Sequence, residues 1–245
     1  IKSIGGIAQN SFGNYYVIDK IEKQVQYYSP TWNYLGTFSN TENLTLPSDL
    51  VIDSQDNIYI SNGTKILKYN SNFTTFSEKG PLKHSIQDIE LVDDIIFVSF
   101  EGESEIATLD LGLNIVSYKG VGAHNYIGVL NEGDYYLADQ TTNKIFVYKE
   151  GVLTNNFGST GTQVTQFSTI SDIELDRRSG LLYVSDQDNH RVQVFKTREN
   201  IYLTNDVEIN NDLLMKTVYF SIEGFDLDRD GIVNEFDAFP LEIKL

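Results

Sequence analysis

Five short runs of aromatic and β-branched residues divide this chain into units of similar length. They are Tyr16-Val17-Ile18-Asp19, Tyr59-Ile60-Ser61-Asn62, Phe97-Val98-Ser99-Phe100, Tyr136-Leu137-Ala138-Asp139 and Tyr183-Val184-Ser185-Asp186. Their mean spacing is about 42 residues, the length of a four-stranded propeller blade. No other feature constrains the fold as much. A unit this short cannot bury its own apolar face, so neighbouring units must stack on one another.

The repetition extends along each unit. A partly alternating strand precedes each run: Gly6–Ala8, Asp49–Asp53, Asp88–Leu91, Ile127–Leu130 and Asp172–Asp176. After a polar turn comes a third strand: Gln24–Tyr28, Lys65–Tyr69, Glu105–Leu109, Lys144–Tyr148 and Arg191–Phe195. A weaker fourth strand follows, as in Tyr34–Phe38 or Ile201–Thr204. Period-2 alternation, Gly/Asn/Asp turns and the lack of any long 3.6-period segment predict antiparallel β structure throughout. Radial repetition of such sheets leaves only short, protected edges. The expectation is therefore an all-β β-propeller of four-stranded blades. Five blades are favoured, with a six-position ring containing one stunted blade as the alternative. Residues 1–204 form the propeller in this reading, 205–224 a hairpin, partial blade or connector, and 225–245 a separate acidic repeat.

Two segments carry a family resemblance. Phe157–Phe167, followed by Leu182-Tyr183-Val184-Ser185-Asp186-Gln187-Asp188-Asn189-His190-Arg191-Val192-Gln193-Val194-Phe195, resembles the NHL repeat, with Asn189-His190-Arg191 as its signature. The fourth unit keeps Asp139 and Asn143-Lys144; the first three are degenerate, and Phe100 stands where the repeat usually has Asp. The resemblance implies a propeller of six blades and says little about activity, since one fold hosts many functions.

The chain has 245 residues, with 18 Lys+Arg against 35 Asp+Glu and a formal net charge of -17. Such a surface repels nucleic acid and anionic headgroups, so neither is an expected partner. No apolar run approaches the ~20 residues of a membrane helix, so direct membrane insertion is not expected. Cysteine is absent, which removes disulfides, thiolate metal sites and cysteine nucleophiles. A chain opening on Ile1 without a signal-peptide pattern is expected to be a processed product or a piece of a longer protein.

Against that acidic background, Phe225-Asp226-Leu227-Asp228-Arg229-Asp230-Gly231-Ile232-Val233-Asn234-Glu235-Phe236-Asp237 concentrates carboxylates that must be neutralised. Counted from Asp226, carboxylates fall at loop positions 1 (Asp226), 3 (Asp228) and 5 (Asp230). Gly231 is at 6, the carbonyl of Ile232 at 7, Asn234 at 9 and Asp237 at 12. Alternate oxygens converge, glycine makes the sharp turn and the last carboxylate closes the shell, which is the chemistry of an EF-hand-type Ca²⁺ loop. The segment resembles thrombospondin type 3 and dockerin calcium repeats, and its Asp237-Ala238-Phe239-Pro240 ending favours the former. Asp rather than Glu at the closing position favours a structural ion over a switch. The resemblance implies a calcium-stiffened linker in a larger extracellular protein.

Other candidate chemistry is thinner. His84 and His124 precede first strands and His190 lies in a second-to-third turn, on one face of the predicted blades. Some NHL relatives, the peptidyl-amidoglycolate lyases, hold zinc on channel histidines. Here His84 and His124 are out of register and His190 belongs to the repeat's own turn, so a structural role is preferred. Asp19, Asn62, Asp139 and Asp186 end equivalent strands, where short acceptors usually satisfy turn N–H groups. Trp32 and Tyr34, in a third-to-fourth turn, are read as packing, with stacking on a sugar or peptide as the alternative. Asn43, Asn62 and Asn72 begin N-glycosylation sequons. No Gly-x-Ser-x-Gly, phosphate loop or His-Glu-x-x-His pattern occurs.

These features predict a secreted or cell-surface, non-enzymatic propeller that recognises a protein or glycan through one face and carries Ca²⁺ at its C-terminal end. The alternatives are a metal-dependent lyase or lactonase working in the central channel, and an architectural spacer of an adhesin or filament.

Overall fold

The computed structural model describes residues 1–38, 44–74, 76–197 and 214–219. They form five four-stranded antiparallel sheets, the blades of a β-propeller, each built in chain order. Blade 1 contains β1 (Ile4–Gln9), β2 (Tyr15–Asp19), β3 (Gln24–Tyr28) and β4 (Tyr34–Phe38). Blade 2 contains β5 (Pro47–Ile52), β6 (Ile58–Asn62), β7 (Lys65–Tyr69) and β8 (Phe76–Lys79). Blade 3 runs through β9 (Ile86–Val92), β10 (Ile95–Phe100), β11 (Glu103–Asp110) and β12 (Ile115–His124). Blade 4 runs through β13 (Tyr126–Val129), β14 (Tyr135–Asp139), β15 (Lys144–Lys149) and β16 (Val152–Phe157). Blade 5 has β17 (Ile170–Asp176), β18 (Leu181–Asp186), β19 (Arg191–Lys196) and β20 (Leu214–Tyr219).

The fourth strand of blade 5 thus falls inside the stretch read as a hairpin or partial blade. The strand expected at Ile201–Thr204 lies outside the described residues. The chain divides into two compact units, one of Ile1–Asp139 with Ile145–Asn156, the other of Gln140–Lys144 with the described residues from Phe157 onward. Among the described residues no helix is long and apolar enough to cross a membrane.

Within the first unit, blades stack through three apolar seams. Tyr16, Ile18 and Val25 of blade 1 meet Leu50, Ile60 and Leu67 of blade 2. Tyr59 and Ile66 of blade 2 meet Ile89, Val98 and Leu109 of blade 3. Phe97 and Ile106 of blade 3 meet Ile127, Tyr135 and Leu137 of blade 4. Each side chain so removed from water contributes about 1.5–3 kcal/mol. The seam between blades 1 and 2 also depends on a residue with no side chain, Gly6. A Cβ on Gly6 would lie 1.8 Å from Asp49 Oδ1 and 2.6 Å from Leu50 N, so only glycine lets β1 approach β5 this closely.

The third-to-fourth turns of blades 1, 2 and 3 share one construction. The backbone N–H groups of Trp32, Phe73 and Leu113 donate to the carbonyls of Ser29, Asn70 and Asp110, each at 2.9 Å. Ser29 Oγ, Asn70 Oδ1 and Asp110 Oδ1 accept the N–H groups of Asn33, Thr74 and Asn114 at 3.1, 2.9 and 2.8 Å. The residue between is left-handed each time, with φ of 61° at Trp32, 55° at Phe73 and 64° at Leu113. Phe73 and Leu113 are buried, Phe73 stacking on Phe38 of blade 1 with ring centroids 3.8 Å apart. In these two turns the unfavourable backbone conformation is offset by burial of the side chain it presents.

Candidate functional site

At the end of each blade that carries the lead-in to the first strand and the second-to-third turn, the strand-end acceptors are engaged by backbone. Asp19 accepts the N–H groups of Lys2 (2.8 Å), Ser3 (3.4 Å), Ile21 (3.2 Å) and Glu22 (3.2 Å). Burial alone would raise its pKa, but these donors outweigh it and hold the carboxyl below its usual range. Asn62 Oδ1 accepts the N–H groups of Thr45 (2.9 Å) and Leu46 (2.7 Å). Asp186 accepts Ser168 N–H (2.8 Å), Asn189 Nδ2 (2.8 Å) and Arg191 Nε (2.8 Å). Each therefore ties its own second strand to the segment leading into its first. Phe100, which breaks the pattern in blade 3, is buried, and there the lead-in is tied by other groups: Glu101 N–H donates to Ser85 O at 3.1 Å, and the side chains of Lys83 and His84 bond to Glu105 of β11.

Nearer the ring's inner strands lies a feature that sequence reading did not single out. Asp49 on β5 accepts Ile89 N–H of β9 (3.0 Å), and Asp88 on β9 accepts Ile127 N–H of β13 (2.9 Å). Each carboxyl thus bridges to the next blade, and Asp88 stands within interaction range of Asp49. Burial pushes the Asp49 pKa up, and the opposing pull of Asp88, the backbone N–H groups of Ile89 and Leu50 and the charge of Lys20 draws it only part of the way back. A carboxyl whose folded pKa is raised contributes stability that is complete below its unfolded value of about 3.9 and lost as pH rises through the folded one. Asp49→Asn keeps an oxygen for Ile89 and supplies a permanent N–H donor to Asp88. It is expected to raise Tm by a few degrees near neutral pH, about 1 kcal/mol, and by less in acid. Thermal melts at both pH values check this; a variant that melts lower at neutral pH contradicts it.

The histidines do not act together. His84 Nδ1 lies 3.3 Å from Glu103 Oε1 and its Nε2 3.1 Å from Glu105 Oε1. Lys83 pairs with the other oxygen of Glu105 at 2.9 Å and sits 4.0 Å over the Tyr118 ring. The Lys83 hydrogen bond holds the Glu105 carboxyl below its usual range. His124 is fully buried, with Nδ1 2.9 Å from Gly122 O and Nε2 without a partner, and burial lowers its pKa. His190 is the left-handed residue (φ 53°) after a short 3₁₀ turn, Gln187–Asn189. Among the described residues no three His, Asp or Glu side chains converge as a metal would require. The calcium ligands expected at Asp226, Asp228, Asp230, Ile232, Asn234 and Asp237 lie outside the described residues.

Asn189 and Arg191 flank His190 with a clamp inside the second unit. Asn189 Nδ2 donates to Gly161 O (2.9 Å), and the Arg191 guanidinium donates to Thr162 O (2.8 Å), Gln163 O (2.8 Å) and Gln166 O (2.7 Å). The repeat's signature thus fastens the 161–166 loop over blade 5. A cavity of about 410 Å³ opens on blade 2, lined by Thr45, Leu46, Asn62, Lys65, Glu78 and Ser85 among others. Lys65 and Glu78 close an ion pair across it at 2.9 Å. Asn62, 5% exposed with its amide oxygen occupied, is no glycan acceptor in the folded chain, whereas Asn72 is exposed. Trp32, read as packing, is 54% exposed.

With this geometry in place, the NHL repeat model matches residues 167–195, the blade 5 segment containing the clamp's donors Asn189 and Arg191. No curated protein matches the chain in sequence. Among solved structures, a nidogen/laminin complex aligns over 89% of this chain and 80% of its own, with TM-score 0.65 and 14% identity. A virginiamycin B lyase from Staphylococcus aureus aligns over 80% of this chain and 67% of its own (TM-score 0.60, 13% identity). A streptogramin B lyase does so over 80% and 66% (0.57, 13%). At these identities the likeness is one of fold, and the fold is a β-propeller with an NHL repeat in its fifth blade.

Proposed function

We propose that the chain is a non-enzymatic recognition propeller, secreted or held at the cell surface, that presents one face to a protein or glycan and ends in a calcium-stiffened connection to a larger extracellular protein. One observation carries the recognition reading: the polar strand-end residues Asp19, Asn62 and Asp186 are engaged in tying backbone together. They serve the rigidity of a loop-bearing platform, and such platforms suit broad recognition. The similarity in fold to a chain of a nidogen/laminin complex is in keeping with protein binding. A second reading, channel chemistry in the manner of a lyase, draws on the two lyase structures of the same fold. The test is a saturable complex between residues 1–245 and a macromolecule extracted from the producing cells' surface, retained in His84→Ala and His124→Ala. Turnover of a small molecule abolished by either substitution overturns the recognition reading in favour of the lyase.

The Ca²⁺ part rests on the spacing of Asp226, Asp228, Asp230, Asn234 and Asp237 around Gly231. Calorimetric titration is expected to give one ion per chain, lost in Asp230→Ala. Unfolding of the ion-binding segment should become harder by about 2.7 kcal/mol at a hundredfold excess over Kd. No heat of binding and no thermal shift in millimolar Ca²⁺ removes the ion from this chain.

A further inference from the structure

Blade 1 departs from the rest of the molecule in charge. Residues 4–18 and 24–38 contain no Asp, Glu, Lys or Arg, in a chain that is 22% charged. All the charge between those stretches, Asp19, Lys20, Glu22 and Lys23, is confined to the β2–β3 connection at one end of the blade. The opposite end, built from the β1–β2 and β3–β4 turns, is uncharged, aromatic and rich in amides and hydroxyls. Its two turns adjoin: a Cβ on Gly13 would sit 3.2 Å from Pro30 Cγ. The nearest carboxylate the turns engage is Asp56 of blade 2, which accepts Ser11 N–H (2.8 Å) and Ser11 Oγ (2.7 Å).

At this end Trp32 occupies the left-handed position that in blades 2 and 3 buries Phe73 and Leu113, yet it is 54% exposed where they are 3% and 4%. It is nevertheless held firmly. Its ring stacks on Tyr15 with centroids 4.3 Å apart and planes 10° from parallel, and Tyr28 leans on it at 6.0 Å. Tyr28 in turn meets Tyr34 edge-on at 5.7 Å. Around the rings stand Phe12, Tyr34 and Leu35, at 77%, 58% and 47% exposure. The polar groups of the rim are ordered by one another: Asn33 Nδ2 donates to Thr31 Oγ1 (3.0 Å), Tyr28 Oη donates to Gln26 Oε1 (2.6 Å), and Tyr34 Oη lies 2.7 Å from Thr37 Oγ1.

We propose that this end of blade 1 binds a neutral oligosaccharide, with Trp32 as the stacking ring and the Asn33 and Thr31 side chains as hydrogen-bonding groups at its edge. A pyranose offers one face of weakly positive C–H groups, which suits the negative face of an indole, and a periphery of hydroxyls that matches amides and hydroxyls. The lack of charge selects against charged ligands. An anionic glycan meets the field of a chain with net charge -17, while a basic peptide is drawn to its carboxylates elsewhere. A preformed aromatic stack loses little conformational freedom on binding. The inference deepens the recognition reading by naming a ligand class and a site.

Trp32 is the only tryptophan in the chain, so its fluorescence reports on this site alone. The probes are cellohexaose, laminarihexaose and mannohexaose, with heparin and hyaluronan oligomers and a proline-rich peptide as the other arms. The expected result is a saturable change in Trp32 emission and a matching heat with at least one neutral hexose oligomer. Affinity should fall on the order of tenfold or more in Trp32→Ala and in Asn33→Ala. Tyr34→Ala, which removes an exposed ring, guards against loss of fold in the tryptophan variant and should also weaken binding. Silence of all three neutral oligomers, response to the anionic oligomers or the peptide instead, or sugar binding indifferent to all three substitutions overturns the proposal. If the sugars fail while a protein complex still forms, only this site is lost; if no macromolecule binds at all, the recognition role falls with it.

Discussion

Arg191→Ala is expected to cost blade 5 about 3–5 kcal/mol, the usual penalty for leaving one member of a buried ion pair without its partner. Arg191 is 2% and Asp186 0% exposed at the side chain, and their contact is 2.8 Å. The substitution also strips donors from three carbonyls, those of Thr162, Gln163 and Gln166. Because blade 5 falls in its own compact unit, the loss should show as faster amide exchange in β18 and β19 and as cleavage within residues 161–166. Protection of blades 1–3 should be preserved. Arg191→Lys restores the charge but not the planar fork that reaches several acceptors, so it should recover only part of the loss. The double variant with Asp186→Asn, which removes the stranded charge, should be less damaged than the sum of the two single variants. Exchange rates in Arg191→Ala equal to those of the parent would show that the signature Asn189-His190-Arg191 is not what holds this blade.

The second large effect is steric. Gly6→Ala is expected to destabilise the first unit by about 3 kcal/mol or more, at or beyond the upper end for an overpacked core. The added Cβ would fall 2.6 Å from Leu50 N and 2.9 Å from Asp49 Cα, both backbone positions that no side-chain rotation can move. Relief requires β1 to separate from β5, which opens the seam of Tyr16, Ile18 and Leu50 and displaces the Asp49 carboxylate. Gly120→Ala is the matched control, since its Cβ would meet nothing within 4 Å. Urea denaturation of the two variants should give a clearly lowered midpoint for the first and an almost unchanged one for the second. Equal midpoints would mean that β1 is free to move.

Much of this architecture is written in the sequence. Alternation of period 2, repeated about every 42 residues, placed the second strands to within a residue or two because each is a short apolar run bounded by turn residues. The third strands followed for the same reason. The fourth strand of blade 5 was not legible, because edge strands carry weak alternation and β20 stands well downstream of β19. Asp19, Asn62 and Asp186 could be read as structural from their strand-end positions, but a position alone does not name a partner. Nothing local distinguishes Asp49 and Asp88, carboxyls on first strands that bridge to the next blade, from exposed ones.

What the sequence by itself determined is therefore the one-dimensional part: strand rhythm, turn chemistry, the uncharged stretches of blade 1 and the spacing of acidic residues from Asp226 to Asp237. Those depend on residues close together in the chain. Only tertiary structure decided which acceptor binds which backbone, that Trp32 stays exposed while Phe73 is buried in the equivalent turn of the next blade, and that burial raises the Asp49 pKa beside Asp88. The physical reason is that burial and desolvation are set by the neighbouring blade, about 40 residues away along the chain, and a local pattern carries no information about that distance.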